Sequence, residues 1–111
     1  MNDLTILKEV RDLIERGWTQ GTFARTEDGM QCDPEDEDAA SWALDGAICG
    51  ALSELTPQSF HEERLRIAQI LISAASGVEI KNLARFNDAP DRTREEILAV
   101  IDRAIEMEGQ E

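Results

Sequence analysis

Apolar residues recur at three- and four-residue steps along most of this chain, and at two-residue steps in one short stretch. In "NDLTILKEVRDLIERG", Leu4, Ile6, Leu7, Val10, Leu13 and Ile14 form one stripe, which predicts a first helix. Asn2 or Asp3 can cap its start, and Gly17 suits the left-handed position just past its end. The period then changes. In "WTQGTFARTEDGMQCDP", Phe23 and Arg25 alternate around Ala24, and Met30 and Cys32 alternate around Gln31. Between them Asp28-Gly29, two residues that tolerate positive φ, signals a hairpin with strands at about 21–26 and 29–32. A lone hairpin is marginal in water, so it is expected to lie against the helices.

The acidic run "DPEDED" precedes the small, apolar "AASWALDGAICGALSEL", and acids are favoured in a helix's first turn. A second helix is therefore expected at about 36–54. Gly46 and Gly50 lie four residues apart on one of its faces, where glycine costs about 1 kcal/mol relative to alanine. Close approach of another element would justify them. Thr56 with Pro57 reads as the start of a third helix, closed by Gly77, with Phe60, Ile67, Ala68, Leu71, Ala74 and Ala75 on one face. Ile80, Leu83 and Phe86 suggest a short helical turn that stops in "NDAP". Thr93 and Glu96 have capping-box spacing ahead of the stripe Ile97, Leu98, Ile101, Ala104 and Ile105. The pattern predicts a mainly α fold: a compact four-helix domain with one small two-stranded β-hairpin inserted after helix 1. Residues 1–111 read as one domain whose last residues, 107–111, fray. The expected core is Leu7, Val10, Ile14, Trp18, Leu44, Ile48, Ile67, Leu71, Leu83, Phe86, Ile97 and Ile101.

Composition narrows the function. With 24 acids against 11 bases, the net charge is −13. Such a surface repels phosphate backbones, which argues against a nucleic-acid partner and for a protein partner, a basic one, unless the acidity serves solubility alone. A nucleic-acid mimic that occupies a basic cleft is a further reading. No stretch reaches the roughly 20 apolar residues of a membrane span. The opening "MNDLTILKEV" has no basic segment ahead of an apolar run, so no secretory signal is expected. Cys32 and Cys49 do not make a disulfide framework, and a cytoplasmic protein with free thiols is the simplest expectation.

Candidate chemistry is sparse. The single histidine, His61, stands near a helix start with no nucleophile at a recognisable spacing, so no catalytic residue is assigned and the chain is not expected to be an enzyme. Asp28, Asp33, Glu35, Asp36, Glu37 and Asp38 could offer oxygens to calcium, yet the run lacks the glycine and distal glutamate of an EF-hand loop, and no metal site is expected. No phosphate-cradling glycine loop is present, so no cofactor is expected. Polar residues beside aromatic ones remain. Asn87 and Asp88 can serve as local helix-end caps. Alternatively, Gln20, Arg25, Asn87 and Asp88 converge beside Trp18 on a small ligand-binding cleft.

The segments "GWTQGTFARTEDG", "SWALDGAICGAL" and "FNDAPDRTREEILAVIDRAI" resemble a domain-of-unknown-function family of short proteins, common in actinobacteria and their phages. The resemblance spans nearly the whole chain. It rests on Trp18, Thr19, Gln20, Gly21, Ala24 and Gly29, on Trp42, Gly46 and Ala47, and on Phe86, Asn87, Asp88 and Thr93. Many family members carry cysteine after the central tryptophan, where this chain has Ala43. The resemblance implies no activity; two tryptophans, a phenylalanine, small residues and caps read more as a fold signature than as an active site. The leading expectation is a non-enzymatic protein-interaction or regulatory module, phage- or prophage-encoded if the resemblance extends that far. The alternative is a small-ligand binder with its cleft between the hairpin and the Asn87–Asp88 corner. The glycine-bearing helix face could pack within the chain or across a homo-oligomer.

Overall fold

The computed structural model describes residues 3–53, 57–75 and 83–109. Helix α1 spans Asp3–Arg16 and buries Ile6, Leu7, Val10, Leu13 and Ile14 of the predicted stripe, with Leu4 half-buried. Strands β1 (Ala24–Thr26), β2 (Gln31–Cys32) and β3 (Ala39–Trp42) follow, then helices α2 (Leu44–Ala51), α3 (Pro57–Ala74), α4 (Leu83–Asp88) and α5 (Arg94–Gly109). The expected Thr56 cap, Gly77 stop and Ile80 lie outside the described residues, as does Asn2.

The sheet corrects the expectation of two strands. It has three, in the order β2-β1-β3, all antiparallel. Residues 39–42, expected inside a helix beginning near 36, instead pair with β1 through Ala24↔Trp42, Arg25↔Ser41 and Thr26↔Ala39, with Ala40 as the extra residue of a bulge. Alanines favour helix locally, but tertiary pairing overrides that preference. On the edge away from β1, Trp42 is held by the 17–19 segment. Its N–H donates to Gly17 O at 2.9 Å and its C=O accepts from Thr19 N at 3.2 Å. Helix α2 therefore starts at Leu44, and the acids 33–38 form turns rather than a helical first turn. The short helical turn expected near Phe86 is the distinct helix α4, which makes five helices where four were expected.

One glycine and one aspartate depart from the expected turn conformations. Positive φ among the described residues occurs at Gly21 (82°) and Gly29 (84°), and not at Gly17. A Cβ on Gly17 would lie 2.2 Å from Ala40 O, so the residue lets β3 run against the end of α1. In the hairpin, Thr26 N donates to Met30 O (2.8 Å) and Gly29 N to Thr26 O (2.9 Å), a three-residue loop in which Gly29 alone takes the left-handed conformation. Asp28 does not.

α1 packs against α2, α3, α5 and β3, while α2 also meets α3 and α4. Every residue of the expected core is buried except Trp18, which is half-buried and packs against the core; Trp42, at 4% exposure, is the enclosed tryptophan. Thr93 Oγ1 accepts from Glu96 N, and Glu96 Oε1 accepts from Thr93 N, each at 3.2 Å, completing the capping box at the start of α5. No helix among the described residues is long and apolar enough to cross a membrane.

Candidate functional site

Trp18, Gln20, Arg25, Asn87 and Asp88, which sequence could not place near one another, converge in a single hydrogen-bond network. Its hub is Asn87 in the last turn of α4, the one buried polar residue among those described, at 0% exposure. Asn87 Oδ1 accepts from Trp18 Nε1 (2.7 Å) and Leu44 N (3.0 Å), while Nδ2 donates to Thr19 O and Asp88 Oδ1 (both 3.0 Å). Both acceptor positions and both donors of the amide are thus occupied by the protein itself. Gln20 Nε2 donates to Asn87 O (2.8 Å) and Ala89 O (2.9 Å), and Asp88 Oδ1 accepts from Gly21 N (3.0 Å). Arg25 donates to Thr19 Oγ1, Gly29 O and Gln20 O at 3.0, 3.0 and 3.3 Å, tying the same loop to the hairpin turn. Arg92 completes the corner by donating to Phe86 O (2.9 Å) with its guanidinium 4.0 Å from the centre of the Phe86 ring. These bonds link residues 18–21 to 87–89 across the fold, so Asn87 is a long-range tie and not the local helix-end cap that its position suggests.

Beside this network lies a small pocket of about 200 Å³, bounded by Gly21, Thr22, Phe23, Ala43, Asp45, Ala84 and Asp88. It occupies the place where sequence allowed a cleft, between the approach to the hairpin and the Asn87–Asp88 corner. Its polar groups include Asp45, which the sequence reading passed over. An acid embedded in the apolar run Ala43-Leu44-Asp45-Gly46-Ala47 was the signal available. The Asp45 side chain is 20% exposed and lies 3.9 Å from Arg64. Burial pushes its carboxyl above the usual aspartate range, and Arg64 offsets part of that rise.

At the other end of β1 is an open groove of about 840 Å³ lined by Arg16, Thr26, Glu27, Asp28, Met30, Glu37, Asp38, Ala39 and Ala40. Met30 stands 69% exposed at its edge. None of the acids from Glu27 to Asp38 forms an ion pair with a base among the described residues, whereas Arg11, Arg64, Arg66, Arg92 and Arg94 pair with acids of the helices. Arg16, the base in the groove, lies over the Trp42 ring, 5.3 Å from its centre.

A family model described as "Family of unknown function (DUF6197)" matches residues 1–107. The chain belongs to this family. Neither a curated protein nor a solved structure shows significant similarity to it. In this family member the remaining candidate groups lie apart from the network. His61 is exposed on α3, and Cys32 and Cys49 are free and partly buried. Burial pushes both thiols up, Cys32 further through Asp36, Asp33 and Asp38, which weakens each as a nucleophile. Among the described residues, no group of three or more His, Cys, Asp or Glu side chains is placed to hold a metal ion together.

Proposed function

We propose that this protein is a non-enzymatic interaction module that docks a basic partner protein on the hairpin side of the molecule. The observation that carries this reading is the segregation of charge. Arg11, Arg64, Arg66, Arg92 and Arg94 of the helical side are paired with acids, while Glu27, Asp28, Glu37 and Asp38 line a groove with exposed Met30 and one base, Arg16. A solvated acidic face alone would serve solubility. A groove that also offers a flexible, polarisable thioether suits a partner carrying both cationic and apolar side chains. Two free cysteines fit a reducing compartment, so the proposed setting is the cytoplasm.

The test is retention of a partner from lysate by the immobilised protein at low and moderate salt. It compares the native chain with a groove variant, Glu27→Gln/Asp28→Asn/Glu37→Gln/Asp38→Asn. A control variant removes charge from exposed helical positions, Glu9→Gln/Asp12→Asn/Glu106→Gln. A partner held at low salt should be released at moderate salt, since exposed charges are screened over about 10 Å at 0.1 M. It should be lost from the groove variant and kept by the control. Equal loss from both variants, or no retained protein at either salt, overturns the reading.

A further inference from the structure

The small pocket at the far end of β1 differs from the groove in kind. Its apolar lining includes Phe23, Ala43 and Ala84, and its charges are two carboxylates brought from separate helices, Asp45 of α2 and Asp88 of α4. Both wall and charge are held in place. Phe23 O accepts from Ala43 N at 3.0 Å and lies where a side chain on Gly46 would collide, so the Phe23 backbone is clamped onto α2 while the residue stays 48% exposed. The bonds from Gly21 N and the Asn87 amide both fall on Oδ1 of Asp88, which fixes that carboxylate without enclosing it. We propose that this pocket receives the side chain of a lysine presented by the partner, its alkyl stem between Phe23 and the two alanines and its ammonium between Asp45 and Asp88. The inference rests on the interaction reading above and names the group that the partner must present.

Charge and shape select that occupant. A lysine combines an apolar stem with a compact cation that carries three donors, and a small pocket lined by Phe23, two alanines and two carboxylates matches that pattern. Arginine's planar fork needs a broader site for its bidentate geometry. Asp45 stands partly desolvated with Arg64 at 3.9 Å, which offsets only part of the cost of its burial, so an arriving ammonium would add a second counter-charge to that of Arg64.

Amide-resolved NMR tests this with Nα-acetyl-lysine methylamide as the probe and Nα-acetyl-norleucine methylamide, which keeps the stem and lacks the charge, as comparator. The lysine probe should give saturable shifts at Gly21, Thr22, Phe23, Asp45 and Ala84. Asp45→Asn should weaken its binding about tenfold, as expected for loss of one charge-assisted hydrogen bond. Asp45 makes no contact in the Asn87 network, so this variant keeps the fold, which a melting curve verifies. Shifts that fail to saturate, equal binding of the norleucine probe, or an unaltered affinity in Asp45→Asn overturns the proposal. Failure here is distinguishable from failure of the groove reading. If the groove variant loses the partner while Asp45→Asn retains it fully, the pocket proposal falls and the groove stands. If the lysine probe binds as expected but no partner is retained, the groove reading falls and the pocket stands.

Discussion

A fully buried amide must satisfy two donors and two acceptor positions inside the protein, and the cost of leaving any of them unpaired is about 1–3 kcal/mol per group. Asn87 meets all four demands with partners from three separate parts of the chain. Its orientation follows from those partners, since Oδ1 faces two N–H groups and Nδ2 faces two oxygens. Asn87→Ala should therefore lower unfolding free energy by roughly 2–4 kcal/mol, because Trp18 Nε1 and the Leu44 N–H lose their acceptor. Asn87→Asp is the sharper probe. An aspartate keeps the two acceptor contacts but cannot donate to Thr19 O, and it sets a second carboxylate against Asp88. It should destabilise strongly at neutral pH and recover in part on acidification, read by urea denaturation at two pH values. Loss below about 0.5 kcal/mol in both variants would show that the network does not tie the fold. The composition of this network was legible in the sequence as candidates: Gln20 and Arg25 had no local structural duty, while Asn87 and Asp88 also read as helix-end caps and Trp18 as a core residue. Their convergence was not, because residues 18 and 87 meet only through the packing of α1, α2 and α4.

Among the elements, the helices were readable because an amphipathic stripe is a local pattern, and α1 and the capping box of α5 follow theirs closely. β3 was unreadable for the converse reason. Ala39, Ala40 and Ser41 have no strand preference of their own, and their strand exists because β1 and the Gly17–Thr19 segment supply hydrogen bonds on both edges. The signal that did survive was the glycine pair in α2, whose cost in helix propensity demanded a close neighbour. The neighbours are now identified, and they differ. A Cβ on Gly46 would sit 1.9 Å from Phe23 O and 2.7 Å from Phe23 C, backbone atoms that cannot yield without breaking the Ala43–Phe23 bond. On Gly50 it would meet Leu13 Cδ1 at 3.2 Å and Pro34 O at 3.4 Å, the first of which is the end of a flexible side chain. Gly46→Ala should cost about 1–3 kcal/mol or more, since overpacking outweighs the gain of about 1 kcal/mol in helix propensity. Gly50→Ala should be close to neutral, as the same gain meets only a soft clash. Thermal melting of the two variants side by side decides it, and equal effects would mean that the approach of the Phe23 backbone to α2 is not what requires glycine.

For the molecule as a whole, a net charge of −13 on 111 residues makes self-repulsion a term in its stability, concentrated where the acids from Glu27 to Asp38 form no ion pair among the described residues. Two kinds of group then act in opposite directions as pH falls. Asp45, raised by burial in the folded chain, binds a proton more tightly there than when unfolded. Its contribution is fully present below the ordinary aspartate value near pH 4 and is lost as pH rises through the raised value. Glu96, lowered by its hydrogen bond from Arg92, contributes above the ordinary glutamate value, and that contribution disappears as pH falls through the lowered one. Acid repulsion joins Asp45 in favouring mild acidification. The midpoint of thermal unfolding should accordingly rise as pH is lowered from about 8 toward 5, then fall below about 4 as Glu96 and the other paired acids protonate. Salt separates the causes. At about pH 8, 0.5 M sodium chloride shortens the screening length from roughly 10 Å at 0.1 M, which should raise the midpoint by relieving the exposed acids. It should leave the Asp45 contribution largely intact, because that arises from desolvation. Asp45→Asn should therefore be more stable than the native chain at neutral pH in high salt as well as low, with the advantage vanishing near pH 4. A midpoint that climbs steadily with pH, or that salt depresses, would mean that the unpaired acids are not strained against one another in the folded state, and the charge segregation would then reflect favourable placement of each acid and not a face kept open for a cation.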